Sequence, residues 1–146
     1  MKKIESVLPR LALSFSLPAL FVVAFAPLGC DTTQSMLSDS DVPASQGTVT
    51  VGAADNGNTD VTVRVKHLAL PAKVASGAKI YVVWIQPTNG EKQNVGALAL
   101  DDNLEGTLKT VTPHRRFLLT VTPEPGGRAK APTHEPVFTS WVERSR

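Results

Sequence analysis

Short runs in which apolar and polar residues alternate limit the folds that this chain can adopt. In the clearest run, Val61, Val63 and Val65 alternate with polar residues. A period of two places one row of side chains in a core and the other in solvent, as in an antiparallel sheet. Gly, Pro, Asn and Asp residues separate the runs at spacings of eight to fifteen residues. We therefore predict an all-β domain over residues 47–146.

The number and spacing of the runs predict an antiparallel β-sandwich of immunoglobulin-like size with about seven strands. Asn56-Gly57 predicts a hairpin turn near the start of the domain. Residues 80–85 are apolar on both faces, which indicates a central strand covered on each side. Trp84 in this strand is predicted to be buried between the two sheets. The large residues available for the core are Tyr81, Trp84, Phe117, Phe138 and Trp141.

The first part of the chain has the pattern of an export signal. Basic residues precede an apolar run of 18 residues, 11–28, that contains Pro18 and Pro27. This length is close to the lower limit of about 17 residues for a membrane-spanning helix. We interpret residues 1–29 as a signal peptide.

Two cleavage sites compete. Ala24-Phe25-Ala26 has the small residues of an ordinary secretory site, but Pro27 after it fits poorly beside a scissile bond. Leu28-Gly29-Cys30 resembles the lipobox of bacterial lipoproteins. That resemblance implies cleavage between Gly29 and Cys30, a diacylglyceryl thioether on the cysteine, and acylation of the new amino group by a fatty acid such as palmitate.

The cysteine count agrees with this interpretation. Cys30 is the single cysteine of the sequence, so the chain cannot form an internal disulfide. An odd thiol in an oxidising compartment is exposed to intermolecular pairing, and lipidation would remove it. We therefore predict a protein of the bacterial cell envelope that is anchored to a membrane through Cys30.

Charge and composition limit the partners. Without residues 1–29 the chain has 12 basic and 12 acidic residues, so it is formally neutral and shows no electrostatic footprint for nucleic acid. Residues 31–46 are polar, acidic and without periodicity, and with Cys30 they are predicted to form a flexible tether, 30–46.

No catalytic chemistry is predicted. The sequence has no G-x-S-x-G serine, no phosphate-loop lysine and no histidine pair at metal spacing, so we expect no enzyme, no metal and no cofactor. His134-Glu135 lacks the second histidine of a zinc hydrolase motif, and Asp101-Asp102 is interpreted as turn chemistry. An unrecognised envelope hydrolase is the remaining enzymatic alternative.

Basic residues flank one predicted strand and form a possible interaction rim. They could contact anionic headgroups or the carboxylates of a partner, or they could simply be solvated charges that balance nearby acidic residues. The residues are His114, Arg115 and Arg116 before the strand, and Arg128 and Lys130 after it.

Several short motifs follow one another over about residues 61–143: Leu68-x-Leu70-Pro71, Tyr81-x-x-Trp84, Gly96 in a strand, Phe117-x-x-x-Val121-Thr122-x-Glu124-Pro125-Gly126-Gly127, and Pro132-Thr133. These motifs resemble the extracytoplasmic C-terminal domain of anti-sigma-K factors, which implies a β-sandwich outside the cytoplasmic membrane. The zinc-binding domain that holds the sigma factor has no counterpart here, so sigma-factor binding is not implied.

Together these patterns predict a membrane-anchored envelope lipoprotein with a non-enzymatic β-sandwich that binds another envelope component. The first alternative is a sensory or regulatory partner related to the anti-sigma domains, and the second is the hydrolase. The expected contacts are the membrane, through Cys30, and a possible envelope protein, with no nucleic acid.

Overall fold

The computed structural model of the chain describes residues 31–38 and 42–145. The predicted signal peptide, its cleavage site at Gly29 and the lipidation site Cys30 lie outside the described residues, as do residues 39–41 of the predicted tether. The described residues form two antiparallel sheets, of four and five strands. The predicted all-β sandwich is therefore confirmed.

The four-stranded sheet has the order β1-β3-β4-β7, and the five-stranded sheet has the order β2-β9-β8-β5-β6. A single helical turn, α1, precedes β5. The elements of the described residues are β1 (Thr32–Ser35), β2 (Leu37–Ser38), β3 (Gln46–Ala53), β4 (Thr59–Lys66), α1 (Pro71–Val74), β5 (Ile80–Pro87), β6 (Gln93–Leu98), β7 (Gly106–Thr112), β8 (Arg116–Glu124) and β9 (Phe138–Glu143).

Alternation along each strand builds the core between the sheets. Val61, Val63 and Val65 of β4 are buried, whereas Asp60 and Arg64 are exposed. On the facing side of the core, the central strands β5, β8 and β9 of the five-stranded sheet contribute a second set of buried side chains. Burial of these apolar side chains, at roughly 25 cal/mol per Å² of area removed from water, is the main source of stability. The buried side chains from the five-stranded sheet are Tyr81, Val83, Ile85, Phe117, Leu119, Val121, Phe138 and Val142.

The predicted turns are confirmed by their backbone chemistry. Gly57 has a φ of +79°, the left-handed region that glycine adopts without strain. The Oδ1 atom of Asn56 accepts the N–H of Asn58 at 3.1 Å, which closes the β3–β4 hairpin. In the turn before β7, Oδ1 of Asp101 accepts the N–H groups of Asn103 and Glu105, each at 2.9 Å.

The prediction of a flexible tether over 30–46 is wrong for residues 32–38. β1 pairs with β3 at the edge of one sheet, and β2 pairs with β9 at the edge of the other. Met36 between them is buried, and its N–H donates to the carbonyl of Gly47 at 2.8 Å. An edge strand gains its hydrogen bonds from the backbone, so polar side chains do not prevent pairing. The segment thus changes sheets at Met36 and ties the two layers together.

The prediction that Trp84 is buried is confirmed, but the prediction that it lies between the two sheets is wrong. Trp84 is 0% exposed. Its neighbours Val83 and Ile85 face the core, and successive side chains of a strand point to opposite faces, so Trp84 lies on the outer face of the five-stranded sheet. The long loop between β8 and β9, residues 125–137, is hydrogen-bonded to Asn94 of β6 and to Glu124 of β8, on either side of β5.

Candidate functional site

A buried carboxylate organises the outer face of the five-stranded sheet. Glu124, at the end of β8, is 0% exposed. Its Oε1 atom accepts the Thr122 hydroxyl at 2.6 Å and the backbone N–H of Thr133 at 3.0 Å. Its Oε2 atom accepts the Thr133 hydroxyl at 2.5 Å. Both carboxylate oxygens are therefore occupied by donors from the protein itself.

The hydrogen bonds continue from Glu124 in two directions. The indole Nε1–H of Trp84 donates to the hydroxyl oxygen of Thr122 at 2.8 Å. On the other side, Nδ1 of His134 lies 3.0 Å from the Thr133 hydroxyl oxygen. Because the one hydroxyl proton of Thr133 goes to the carboxylate, Nδ1 is the donor in this contact. We call Trp84, Thr122, Glu124 and Thr133 the Glu124 network.

The environment of Glu124 favours its charged form. Burial raises the pKa of a carboxyl, since it penalises the anion. The hydroxyls of Thr122 and Thr133, the backbone N–H of Thr133 and the nearby His134 outweigh that penalty and hold the pKa of Glu124 below its ordinary value. A carboxylate with a lowered pKa and no accessible surface is a poor general base, so the geometry points to structural work.

The structural role of Glu124 is to fasten the loop 125–137 to the five-stranded sheet. Thr133 lies in the second half of the loop and is held by Glu124. The first half is held by Asn94 of β6, whose Nδ2 donates to the carbonyls of Gly127 at 3.0 Å and Ala129 at 2.9 Å. Asn94 is the cross-strand partner of Trp84, so the two attachments lie on either side of the indole.

The predicted interaction rim is divided in the structure. Arg116 begins β8 and pairs with Glu143 through its guanidinium, with the shortest N–O distance 2.7 Å, on an exposed surface. Arg128 lies between the two loop carbonyls that bond to Asn94, beside β6 at the other edge of the sheet. The structure does not bring His114, Arg115 and Arg116 together with Arg128 and Lys130.

One end of the sandwich combines the start of β1 with the end of β9. The Gln34 amide Nε2 donates to the hydroxyl oxygen of Ser140 and to the carbonyl of Trp141, each at 2.6 Å. The guanidinium of Arg144 donates to the Thr59 hydroxyl at 3.0 Å, which joins the end of β9 to the β3–β4 hairpin. The first described residues therefore lie beside the last ones.

Sequence reasoning missed the most exposed apolar residues of the fold. Trp141, which was expected to contribute to the core, is 61% exposed, and Leu37 is 78% exposed. Both lie on the outer face of the five-stranded sheet, because Leu37 pairs with Thr139 and Trp141 follows two residues later on the same strand. Alternation along β9 indicated two opposite rows, but it did not indicate which row faces the core.

Two open clefts lie near this end. One, of about 380 Å³, is on the outer face of the four-stranded sheet and is lined by Asp31, Asp60 and Lys109 among others. The other, of about 370 Å³, lies beside Trp141, between Gln34 and the Arg116–Glu143 pair. Both are open surface features, and the charged groups of the second are the Arg116–Glu143 pair.

Within residues 31–38 and 42–145, no three His, Cys, Asp or Glu side chains are grouped so that they could hold a metal ion. Over the same part of the chain, the structure contains no helix of the length and apolarity needed to cross a membrane. Comparison of the sequence and structure with protein-family models, curated proteins and solved structures found no match.

Proposed function

We propose that this protein is a bacterial envelope lipoprotein, anchored through acyl chains on Cys30, whose β-sandwich is a non-enzymatic module that binds another component of the envelope. The single observation that carries the proposal is the position of β1, which begins at Thr32. Cleavage before Cys30 would leave both sheets and the described core intact, and it would place the lipidated residue at the boundary of the folded domain.

The chemistry of the anchor supports stable attachment. Burial of acyl chains contributes about 0.8 kcal/mol per methylene, and one chain binds only marginally whereas two or three hold a protein on the membrane. The lipobox resemblance implies two acyl chains in the diacylglyceryl group and a third on the new amino group. No second attachment signal is needed.

The Glu124 network supports a binding role over catalysis. It is the place in the described residues where buried polar groups converge, and its carboxylate is consumed by hydrogen bonds to Thr122 and Thr133. The loop 125–137 that it fastens is the longest connection of the described fold and carries Arg128 and Lys130 on exposed positions. A loop held rigidly on a sheet suits recognition, because less conformational entropy is lost on binding.

A second candidate is a regulatory partner related to the extracytoplasmic domain of anti-sigma-K factors. The observation that favours it is that four residues of the resembling motifs, Trp84, Thr122, Glu124 and Thr133, are joined in one hydrogen-bonded network. Crosslinking in the native envelope, followed by identification of the captured proteins, distinguishes a membrane regulator from other partners.

The anchor is tested by intact mass and membrane partitioning of the full chain. We expect the wild type in the membrane fraction, with a mass that corresponds to cleavage before Cys30 and to added acyl groups. Cys30→Ser should leave an uncleaved precursor or release the protein in soluble form. Ala26→Leu is the matched control, since it blocks only the ordinary secretory site and should leave lipidation unchanged.

The opposite pattern would rule out the lipoprotein proposal. In that case the wild type would be soluble with an unmodified thiol, and its processing would depend on Ala26 and not on Cys30. The protein would then be a plain secreted domain.

A further inference from the structure

The distance between the anchor and the folded domain is very short. β1 begins at Thr32, so only two peptide units separate Cys30 from the first strand in the sequence, and two units span at most about 8 Å. A long coil would let the domain turn freely above the membrane, whereas two peptide units do not. If Cys30 is lipidated, the end of the sandwich that contains Asp31 must stay at the membrane surface.

The exposed aromatic residue lies close to this anchoring point. Gln34 is two strand residues beyond Thr32, or about 7 Å further along β1, and its side chain bonds to the carbonyl of Trp141. The headgroup region of one leaflet is only about 5 to 7 Å thick. The span of about 7 Å from Thr32 to Gln34 is therefore enough for an upright domain to hold the Trp141 backbone at or above the outer limit of this region.

A domain that reclines on this side brings the apolar residues to the lipid. Trp141 and Leu37 occupy the same outer face, next to the edge from which the anchor leaves. Tryptophan is favoured at the membrane interface because its ring is apolar and its N–H is polar. The anchor also makes the contact intramolecular, so a weak preference of this face for lipid is sufficient.

Charge at the same end is compatible with lipid phosphates. Arg115 is exposed, and its guanidinium donates to the carbonyl of Ser145 at 3.4 Å. Arg144 donates to the Thr59 hydroxyl and to the carbonyl of Gly57. The acceptors of these hydrogen bonds are neutral, although the charge of Arg115 also contributes to the lowered pKa of Glu143. A lipid phosphate would complement the guanidinium of Arg144.

We propose that the anchored domain reclines on the membrane with the β2–β9 side of its five-stranded sheet, so that Trp141 and Leu37 lie at the headgroup level. This inference rests on the proposed lipid anchor at Cys30. The opposite end of the sandwich and the loop 125–137, at the β6 side of the sheet, then point away from the bilayer. The two basic groups of the sequence have different surroundings: Arg115 and Arg116 lie near lipid, while Arg128 and Lys130 are open to a partner.

The two tryptophans allow a direct test, because Trp84 is fully buried and Trp141 is exposed. The full-length protein is purified from membranes and reconstituted in vesicles of phosphatidylcholine and phosphatidylglycerol whose acyl chains are brominated at different depths. Relative to the chain that begins at Asp31, which has neither the signal peptide nor the anchor, we expect a blue shift and a loss of Trp141 emission. The loss should be largest with bromine near the headgroup end of the chain.

Two variants complete the experiment. Trp141→Phe removes the reporter at an exposed position, so the remaining emission of Trp84 should be insensitive to bromine and should show that the fold is intact. Leu37→Asn should reduce the quenching of Trp141 while leaving the protein bound to the vesicles through its anchor.

The outcomes separate this inference from the lipoprotein proposal. Acylated, vesicle-bound protein whose Trp141 emission is unchanged by any brominated lipid overturns the reclining orientation and leaves the anchor in place. The same holds if Trp141 becomes protected only when another envelope protein is added. A mass that shows an unmodified thiol, together with no vesicle binding, overturns both.

Discussion

Replacement of the buried carboxylate gives the sharpest test of how this fold is held together. In Glu124→Gln the side chain keeps its size but has one acceptor oxygen and one donor nitrogen where two acceptors were. The amide nitrogen cannot accept a hydrogen bond, so the hydroxyl of either Thr122 or Thr133 then faces a donor and loses its acceptor. Hydrogen bonds to charged groups contribute about 1.5 to 3 kcal/mol each, so we expect the free energy of unfolding to fall by about 2 to 4 kcal/mol.

The measurement is urea unfolding of the soluble chain that begins at Asp31, followed by far-ultraviolet circular dichroism. Glu135→Gln is the matched control, because it makes the same chemical change at an exposed position of the same loop. We expect the control to change the free energy of unfolding by less than about 0.5 kcal/mol. Equal effects of the two substitutions would show that the Glu124 network does not fasten the loop.

The pH dependence of the difference adds an independent criterion. Because the pKa of Glu124 is held below its ordinary value of 4.5, the folded state binds fewer protons than the unfolded state in this range. The stabilisation is fully present above the unfolded pKa and is lost as the pH falls through the folded pKa. The difference between wild type and Glu124→Gln should therefore be constant near neutral pH and shrink in acid.

A difference that stays the same from neutral pH to pH of about 3 would refute the reasoning, since the stabilising species would not be the carboxylate. The exposed Glu143, whose pKa is also lowered by its hydrogen bonds and ion pair with Arg116, is present in both proteins. Its contribution cancels in the comparison.

Two further substitutions test the packing and the surface. Trp84→Ala should lower the free energy of unfolding by about 3 to 5 kcal/mol in urea titration, because it empties a fully buried site beneath the loop; a loss below about 1 kcal/mol would place the indole at the periphery. Arg116→Ala should change it by less than about 1 kcal/mol despite the 2.7 Å contact with Glu143, since both side chains are exposed; a larger loss in the same assay would show that this ion pair is more than a surface contact.

Several parts of the fold followed from local sequence alone. Val61, Val63 and Val65 predicted a half-buried strand because the side-chain period of two belongs to the strand itself. Asn56-Gly57 and Asp101 predicted turns because their chemistry acts within four residues. These patterns were sufficient for the all-β class and for most of the strands.

Other parts depended on which segments meet in space. Residues 32–38 carry no apolar alternation, and only the backbone edges of β3 and β9 make them strands. Alternation in β5 and β9 defined two rows of side chains, but the position of the second sheet and of the loop 125–137 decided that Trp84 is covered and Trp141 is exposed.

The candidate site shows the same division. From the sequence alone it follows that Glu124 lies two residues after Thr122, near the end of a predicted strand, and that the single cysteine precedes the predicted domain. Only the tertiary structure decided that Trp84 and Thr133, from other segments, complete the hydrogen bonds of Glu124, and that β1 begins beside the anchoring residue. The physical reason is that a buried charge is satisfied by whatever donors the packing brings within reach, and sequence spacing does not record that proximity.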